Sequence, residues 1–173
     1  MPNSVPPPGT DRNGPPVSRF LGPSDAVPTE TAELIDQLAQ LNMANERMRA
    51  TLAKELGMSL HEFSALGYID NAAGTATPKA LAGNLYITTG SATALIDRMV
   101  DAGYVARAPH PTDRRSILLE LTDEGRQLME RIIARYAEAT QLALGQTSAR
   151  QTKSIGNFVS RFTTALDSST LAP

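Results

Sequence analysis

The sequence predicts a mainly α-helical fold carrying one small β-hairpin, and three observations predict it. Apolar residues recur at three- and four-residue steps in long stretches on both sides of the chain's middle, the period of a helix with one buried face. Between them lie short helical stretches bounded by Ser, Thr and Gly, then two β-like runs joined by the turn-rich Pro109-His-Pro-Thr-Asp113. Eight of the twelve prolines crowd into the first 28 of 173 residues. Proline fixes φ and removes backbone donors, and Val17, Phe20 and Leu21 build no periodic face there, so residues 1–28 are expected to form a flexible tail. The remaining ~145 residues are enough for one substantial core.

From Thr29 the spacing of Leu34, Leu38, Leu41, Met48, Leu52 and Leu56 predicts one long amphipathic helix ending near Gly57. Ser59 and Glu62 then stand at capping-box spacing, and Phe63, Leu66 and Ile69 continue a second helix that Gly74 closes. Thr77 followed by Pro78 starts a short third helix over about Pro78–Asn84, because proline at the first helical position gives up a donor that would be orphaned anyway. Thr88 caps a fourth, with Ala92, Leu95, Ile96, Met99 and Val100 as its buried stripe and Gly103 as its left-handed stop. The hairpin follows, Tyr104–Ala108 with Arg115–Leu121, the second strand turning Ile117, Leu119 and Leu121 inward. Asp123 and Glu124 open another long helix, placing negative charge at the positive end of its dipole, with Leu128, Ile132, Tyr136, Ala139 and Ala143 on one stripe until Gly145. Thr147 starts a last helix whose stripe is Ile155, Phe158, Val159, Phe162 and Leu166.

Composition narrows the chemistry. Cysteine is absent and there are two histidines, so disulfides, thiolate catalysis, Cys-type zinc sites and a catalytic triad lack material. His61 lacks the second histidine that a zinc-protease helix carries four residues on, no glycine cluster has phosphate-loop spacing, and no metal or cofactor is expected. No apolar run is long enough to span a bilayer and no secretory signal opens the chain, which predicts a soluble, cytoplasmic protein that is not an enzyme. A net charge of −2 gives no global attraction to nucleic acid, so any such binding must come from a local patch.

The element order places a winged helix-turn-helix between long helices whose apolar stripes exceed what the small central module can cover. A second copy of the chain is the simplest partner for those stripes. The division expected is a tail over 1–28, a dimerisation helix over 29–57, a DNA-binding winged helix-turn-helix over 58–121 and C-terminal dimerisation helices over 122–173.

Two stretches, LAGNLYITTGSATALIDRMVDAGYVAR and PTDRRSILLELTDEGRQL, resemble the helix-turn-helix and the wing of the MarR family of bacterial transcription regulators. The Asp113-Arg114-Arg115 tip, the Leu121-Thr122 junction and Gly125 carry the resemblance. It implies a homodimer that binds a near-palindromic double-stranded operator, usually as a repressor, and is released by a small effector, often an aromatic acid or other lipophilic compound. The alternative is a winged-helix protein-interaction module without specific DNA binding.

The residue types fit the DNA reading. A recognition helix presents short polar groups at its N-terminal turn, because that end reaches into the major groove. Thr88, Thr89, Gly90, Ser91 and Thr93 occupy it, and Gly90 and Ser91 can bring backbone N–H groups to phosphate. Ala94 stands where many family members carry a longer polar residue, so contact there is apolar or absent. Arg114 and Arg115 at the tip suit a narrow minor groove, with Asp113 holding one of them, and Arg107 suits a phosphate. Arg98 is read equally as a phosphate contact or an internal ion pair, and Asp97 as structural. His110 is read as an idle surface histidine or as a pH-dependent phosphate contact. For an effector, Asn42, Asn45 and Arg49 on the first helix and Tyr68 on the second are the candidates, Arg49 for a carboxylate and Tyr68 for stacking; solvent-facing or core-filling roles are the alternative.

Overall fold

The computed structural model describes residues 28–113 and 116–170. Among them the order is α1 (Thr29–Glu55), α2 (Leu60–Asn71), α3 (Pro78–Asn84), α4 (Thr89–Asp101), β1 (Val105–Pro109), β2 (Ile117–Leu121), α5 (Asp123–Leu144) and α6 (Ala149–Thr170). Apart from Pro28, the tail expected over 1–28 lies outside the described residues, as do Arg114 and Arg115.

Local side chains set the helix starts. The Ser59 backbone N–H donates to Glu62 Oε2 at 2.7 Å while Ser59 Oγ accepts from the Glu62 N–H at 3.2 Å, closing the capping box of α2. Thr77 Oγ1 accepts from the Ala80 N–H and Thr88 Oγ1 from the Ser91 N–H, each at 3.2 Å, so α3 and α4 begin where their caps require. The start of α6 differs from expectation. Ser148 rather than Thr147 caps it, its N–H donating to Gln151 Oε1 at 3.0 Å, a second capping box one residue later.

The core lies where α2, α3, α4 and the hairpin meet. Leu66, Leu81 and Leu119 are fully enclosed, Leu95, Ile96, Met99 and Val105 nearly so, and Leu52 of α1 with Leu128 and Ile132 of α5 close the sides. The strands are antiparallel, Val105 opposite Leu121 and Pro109 opposite Ile117. The Leu119 N–H also donates to the Ala76 carbonyl at 2.8 Å, tying the wing to the segment that enters α3. Alternation along β2 is imperfect. Ile117, expected inward, is 36% exposed, and Leu118 is buried instead. Ile117 is the strand residue nearest the tip, opposite Pro109 and ~7 Å along the strand from Leu119.

Thr122 joins the lobe to α5. Its hydroxyl donates to the Gly103 carbonyl at 2.6 Å and accepts from the Gly125 N–H at 3.0 Å, while its own N–H donates to the Tyr104 carbonyl at 3.1 Å. Gly125 packs so closely that a Cβ there would stand 2.1 Å from the Tyr104 carbonyl oxygen. That contact explains the glycine.

The long helices are different. Among the residues of α6 whose burial is described none is buried, and Leu41, Ile155, Val159 and Leu166 are each at least half exposed. Ala139 and Ala143, expected on a buried stripe of α5, are exposed as well, because α5 leaves the lobe after its first turns. No helix among the described residues is long and apolar enough to cross a membrane.

Candidate nucleic-acid interface

The N-terminal end of α4 projects from the lobe while its other face is held in the core. Ala92, Leu95, Ile96 and Met99 are buried, and Thr88, Thr89, Gly90, Ser91, Thr93 and Ala94 are all exposed. Thr88 and Ser91 hydroxyls lie 2.9 Å apart, and Thr93 Oγ1 donates to the Thr89 carbonyl at 3.0 Å. These bonds orient the hydroxyls and leave lone pairs for an outside donor. Gly90 has open space where a Cβ would sit, so packing among the described residues does not demand glycine there.

Two arginines beside this end are held by acids. Arg98 Nε donates to Glu62 Oε1 at 2.9 Å, the internal ion pair of its two readings, while more than half of its side chain stays exposed. Arg107 of β1 donates to Asp97 Oδ1 at 2.5 Å, which gives Asp97 the structural part expected of it and sets Arg107 against α4 with its guanidinium still partly exposed. Burial pushes the Glu62 carboxyl up. The Ser59 backbone N–H, the Arg98 guanidinium and the Ser59 hydroxyl together pull it further down, and it rests below the usual glutamate value.

A histidine organises the turn that follows β1. His110 Nδ1 accepts from the Asp113 N–H at 3.1 Å and the Thr112 N–H at 3.3 Å, and the Ser116 N–H donates to the Asp113 carbonyl at 3.0 Å. His110 is therefore neither idle nor turned wholly outward, because its ring nitrogen shapes the turn.

Comparison with known proteins gives this arrangement its place. The MarR-family model matches residues 56–116, the stretch from the end of α1 to the wing. The multiple antibiotic resistance protein MarR of Escherichia coli is 30% identical over 107 residues, covering 58% of this chain and 74% of that protein. The HTH-type transcriptional regulator PecS of Dickeya dadantii is 27% identical over 134 residues, covering 70% and 81%. The chain belongs to the MarR family. In fold it is similar to the crystal structure of apo MarR from E. coli, with a TM-score of 0.57 at 23% identity over 80% of this chain and 98% of that one. It is likewise similar to RV1404 from Mycobacterium tuberculosis, with a TM-score of 0.62 at 20% identity over 81% and 95%. The fold is thus the winged helix of MarR-family transcription regulators, a family that binds DNA.

The effector candidates divide. Asn42 and Asn45 share an apolar cavity of about 420 Å³ between α1 and α6, lined by Leu38, Leu41, Phe158, Val159, Phe162 and Leu166. Asn45 Oδ1 accepts from Tyr136 Oη at 2.9 Å, and Phe158 stacks on Phe162 with ring centroids 5.9 Å apart. Arg49 and Tyr68 do not line this cavity. Arg49 donates to Ser64 Oγ at 2.5 Å and to Glu46 Oε1 at 3.3 Å, and its guanidinium lies 5.9 Å from the centre of the Phe63 ring, so it braces α1 on α2. Tyr68 is half-buried against the core. Sequence reading missed Glu62 as the partner of Arg98, since the two stand 36 residues apart and the capping box already accounted for the acid.

Proposed function

We propose that the chain is a homodimeric, sequence-specific repressor acting on cytoplasmic DNA, whose affinity a small lipophilic effector lowers. One observation carries it: α4 is locked into the core along Leu95, Ile96 and Met99 while its N-terminal turn offers Thr89, Gly90, Ser91 and Thr93 to solvent. Only that end of a recognition helix reaches base edges in the major groove. In this reading residues 58–121 contact DNA. Thr88 and Ser91 orient the helix end, Ala94 meets a thymine methyl, and Arg98 and Arg107 lie near phosphates. Asp113, Arg114 and Arg115 bring the wing tip to the minor groove. Residues 29–57 and 122–173 dimerise, which the half-exposed Ile155, Val159 and Leu166 support. Two recognition helices then enter grooves ~34 Å apart on a near-palindromic operator.

The cavity between α1 and α6 supports the effector, with Asn42 and Asn45 as its polar ends. Arg49 and Tyr68 would contact it only at its margin. Release requires that the effector bind the dimer spacing unfit for DNA more tightly than the fit one. The test is a fluorescence-anisotropy titration of DNA from immediately upstream of the chain's own gene against scrambled DNA of equal length. Native DNA bound about a thousandfold more tightly is the expected result. Ser91→Ala and Thr93→Ala should reduce that ratio more than they reduce binding to scrambled DNA. Equal binding to both, persisting in a genome-wide selection, favours the protein-interaction module instead.

A further inference from the structure

Three helices of this chain end in the same way, and one of them does so with the wrong kind of residue. At the end of α1 the Gly57 N–H donates to the Lys54 carbonyl and the Met58 N–H to the Ala53 carbonyl; at the end of α4 Gly103 and Tyr104 repeat this with Val100 and Met99. Both glycines have positive φ, +69° and +77°, as this double-bonded helix stop requires. At the end of α3 the Tyr86 N–H donates to the Gly83 carbonyl at 3.2 Å and the Ile87 N–H to the Ala82 carbonyl at 3.1 Å. The motif is the same, but its left-handed position is held by Tyr86 at φ +53°. A bulky side chain is disfavoured there, because its Cβ crowds the following carbonyl.

Apart from those two backbone hydrogen bonds, the side chain gains nothing among the described residues. Tyr86 is 94% exposed, and its hydroxyl makes no hydrogen bond among the described residues. Strain held by a residue whose side chain packs on nothing in the molecule points to a contact outside it. Tyr86 occupies the turn of the helix-turn-helix, two residues before the Thr88 cap, so its Cα lies within ~7.6 Å of that of Thr88. It stands just outside the helical turn that presents Ser91 and Thr93.

We infer that Tyr86 is a DNA-backbone contact, its ring packing on a deoxyribose and its hydroxyl donating to a phosphate oxygen at the rim of the groove. This rests on the DNA-binding reading of α4. Three features favour backbone over base. The residue precedes the helix cap, a phenol has a single donor with no bidentate match to a base edge, and phosphate and sugar take most contacts made around an inserted helix. Being neutral, the tyrosine releases no counterion when it binds, so it adds affinity without adding salt dependence.

The experiment uses the full chain and the native and scrambled duplexes, with Tyr86→Gly and Tyr86→Phe beside wild type, read by anisotropy across a salt series and by thermal unfolding. Tyr86→Gly relieves the backbone, so its Tm should equal or exceed that of wild type by up to about 5 °C. Its affinity should nevertheless fall about five- to tenfold on both duplexes alike, with an unchanged salt slope. Tyr86→Phe keeps the backbone and the ring; it should leave Tm unchanged and weaken binding about two- to fivefold through loss of the hydroxyl. Wild-type affinity in Tyr86→Gly overturns the inference, and so does a loss confined to the native duplex, which would mean base reading. A wild type that binds neither duplex overturns the DNA reading and this inference with it, an outcome distinct from a wild type that binds while the variants are indifferent.

Discussion

Helices α4 and α6 carry similar stripes of apolar residues, yet one is finished and the other is not. Ala92, Leu95, Ile96 and Met99 of α4 are at most 2% exposed, while Ile155, Val159 and Leu166 of α6 remain 51%, 50% and 53% exposed. The difference lies in what surrounds them. α4 is enclosed by α2, α3 and β1, whereas α6 stands beside the middle of α1 across an open cavity. An amphipathic pattern states how much surface a helix must hide and leaves open which molecule hides it.

Substitution on the two stripes should therefore break different things, and the α4 stripe should give the largest loss. Leu95→Ala should lower unfolding stability by about 2–5 kcal/mol, the usual cost of truncating an enclosed leucine, read by urea denaturation. In the proposed dimer, the pair Val159→Asp with Leu166→Asp should leave the helical circular dichroism intact and shift sedimentation from two chains to one. Two-chain sedimentation in that double variant would mean that another surface joins the copies.

Gly125 sharpens the comparison at the junction between the two regions. Alanine usually strengthens a helix relative to glycine by about 1 kcal/mol, so an isolated α5 would gain from Gly125→Ala. In the folded chain the new Cβ would meet the Tyr104 carbonyl oxygen, and the wing or α5 must move. A net loss of about 1–3 kcal/mol in chemical denaturation is expected. A gain would show that α5 is not pressed against the base of the wing.

How much of this was legible follows from how local each signal is. The bounds of α3 and the start of α4 could be read directly, because Thr77-Pro78 and Thr88 act on backbone groups within three residues. The start of α6 was misplaced by one polar residue, since Thr147 and Ser148 are both competent caps and only Ser148 has Gln151 in reach. The strain at Tyr86 was not legible, because a tyrosine carries no sign of positive φ where a glycine would have marked the stop. Of the proposed site, the exposed turn of α4 was legible from its residue types. The pairs Arg98–Glu62 and Arg107–Asp97 were not, since they join elements whose meeting only the packed core decides. The effector candidates separated for the same reason. Asn42 and Asn45 face α6, while Arg49, one to two turns further along α1, meets α2.

The smallest effect expected concerns the acid that joins α2 to α4. Glu62 closes the capping box through Oε2 and holds Arg98 through Oε1, so a single carboxylate sets both the start of one helix and the pose of the next but one. Its folded-state value lies below that of the unfolded chain, so the native state favours the charged form. That contribution is complete above the ordinary glutamate value of ~4.3. It is lost progressively as the pH falls through the depressed folded value, because the unfolded chain binds the proton first. Glu62→Gln keeps an oxygen for the cap and removes the charge facing Arg98. At pH 7 it should cost roughly 0.5–1 kcal/mol, the modest return of a partly exposed pair. In thermal unfolding across pH, the gap between variant and wild type should shrink as acid protonates the wild-type carboxyl. A gap that stayed constant into strong acid would place the interaction in shape rather than charge, and would free the tilt of α4 from any dependence on Arg98.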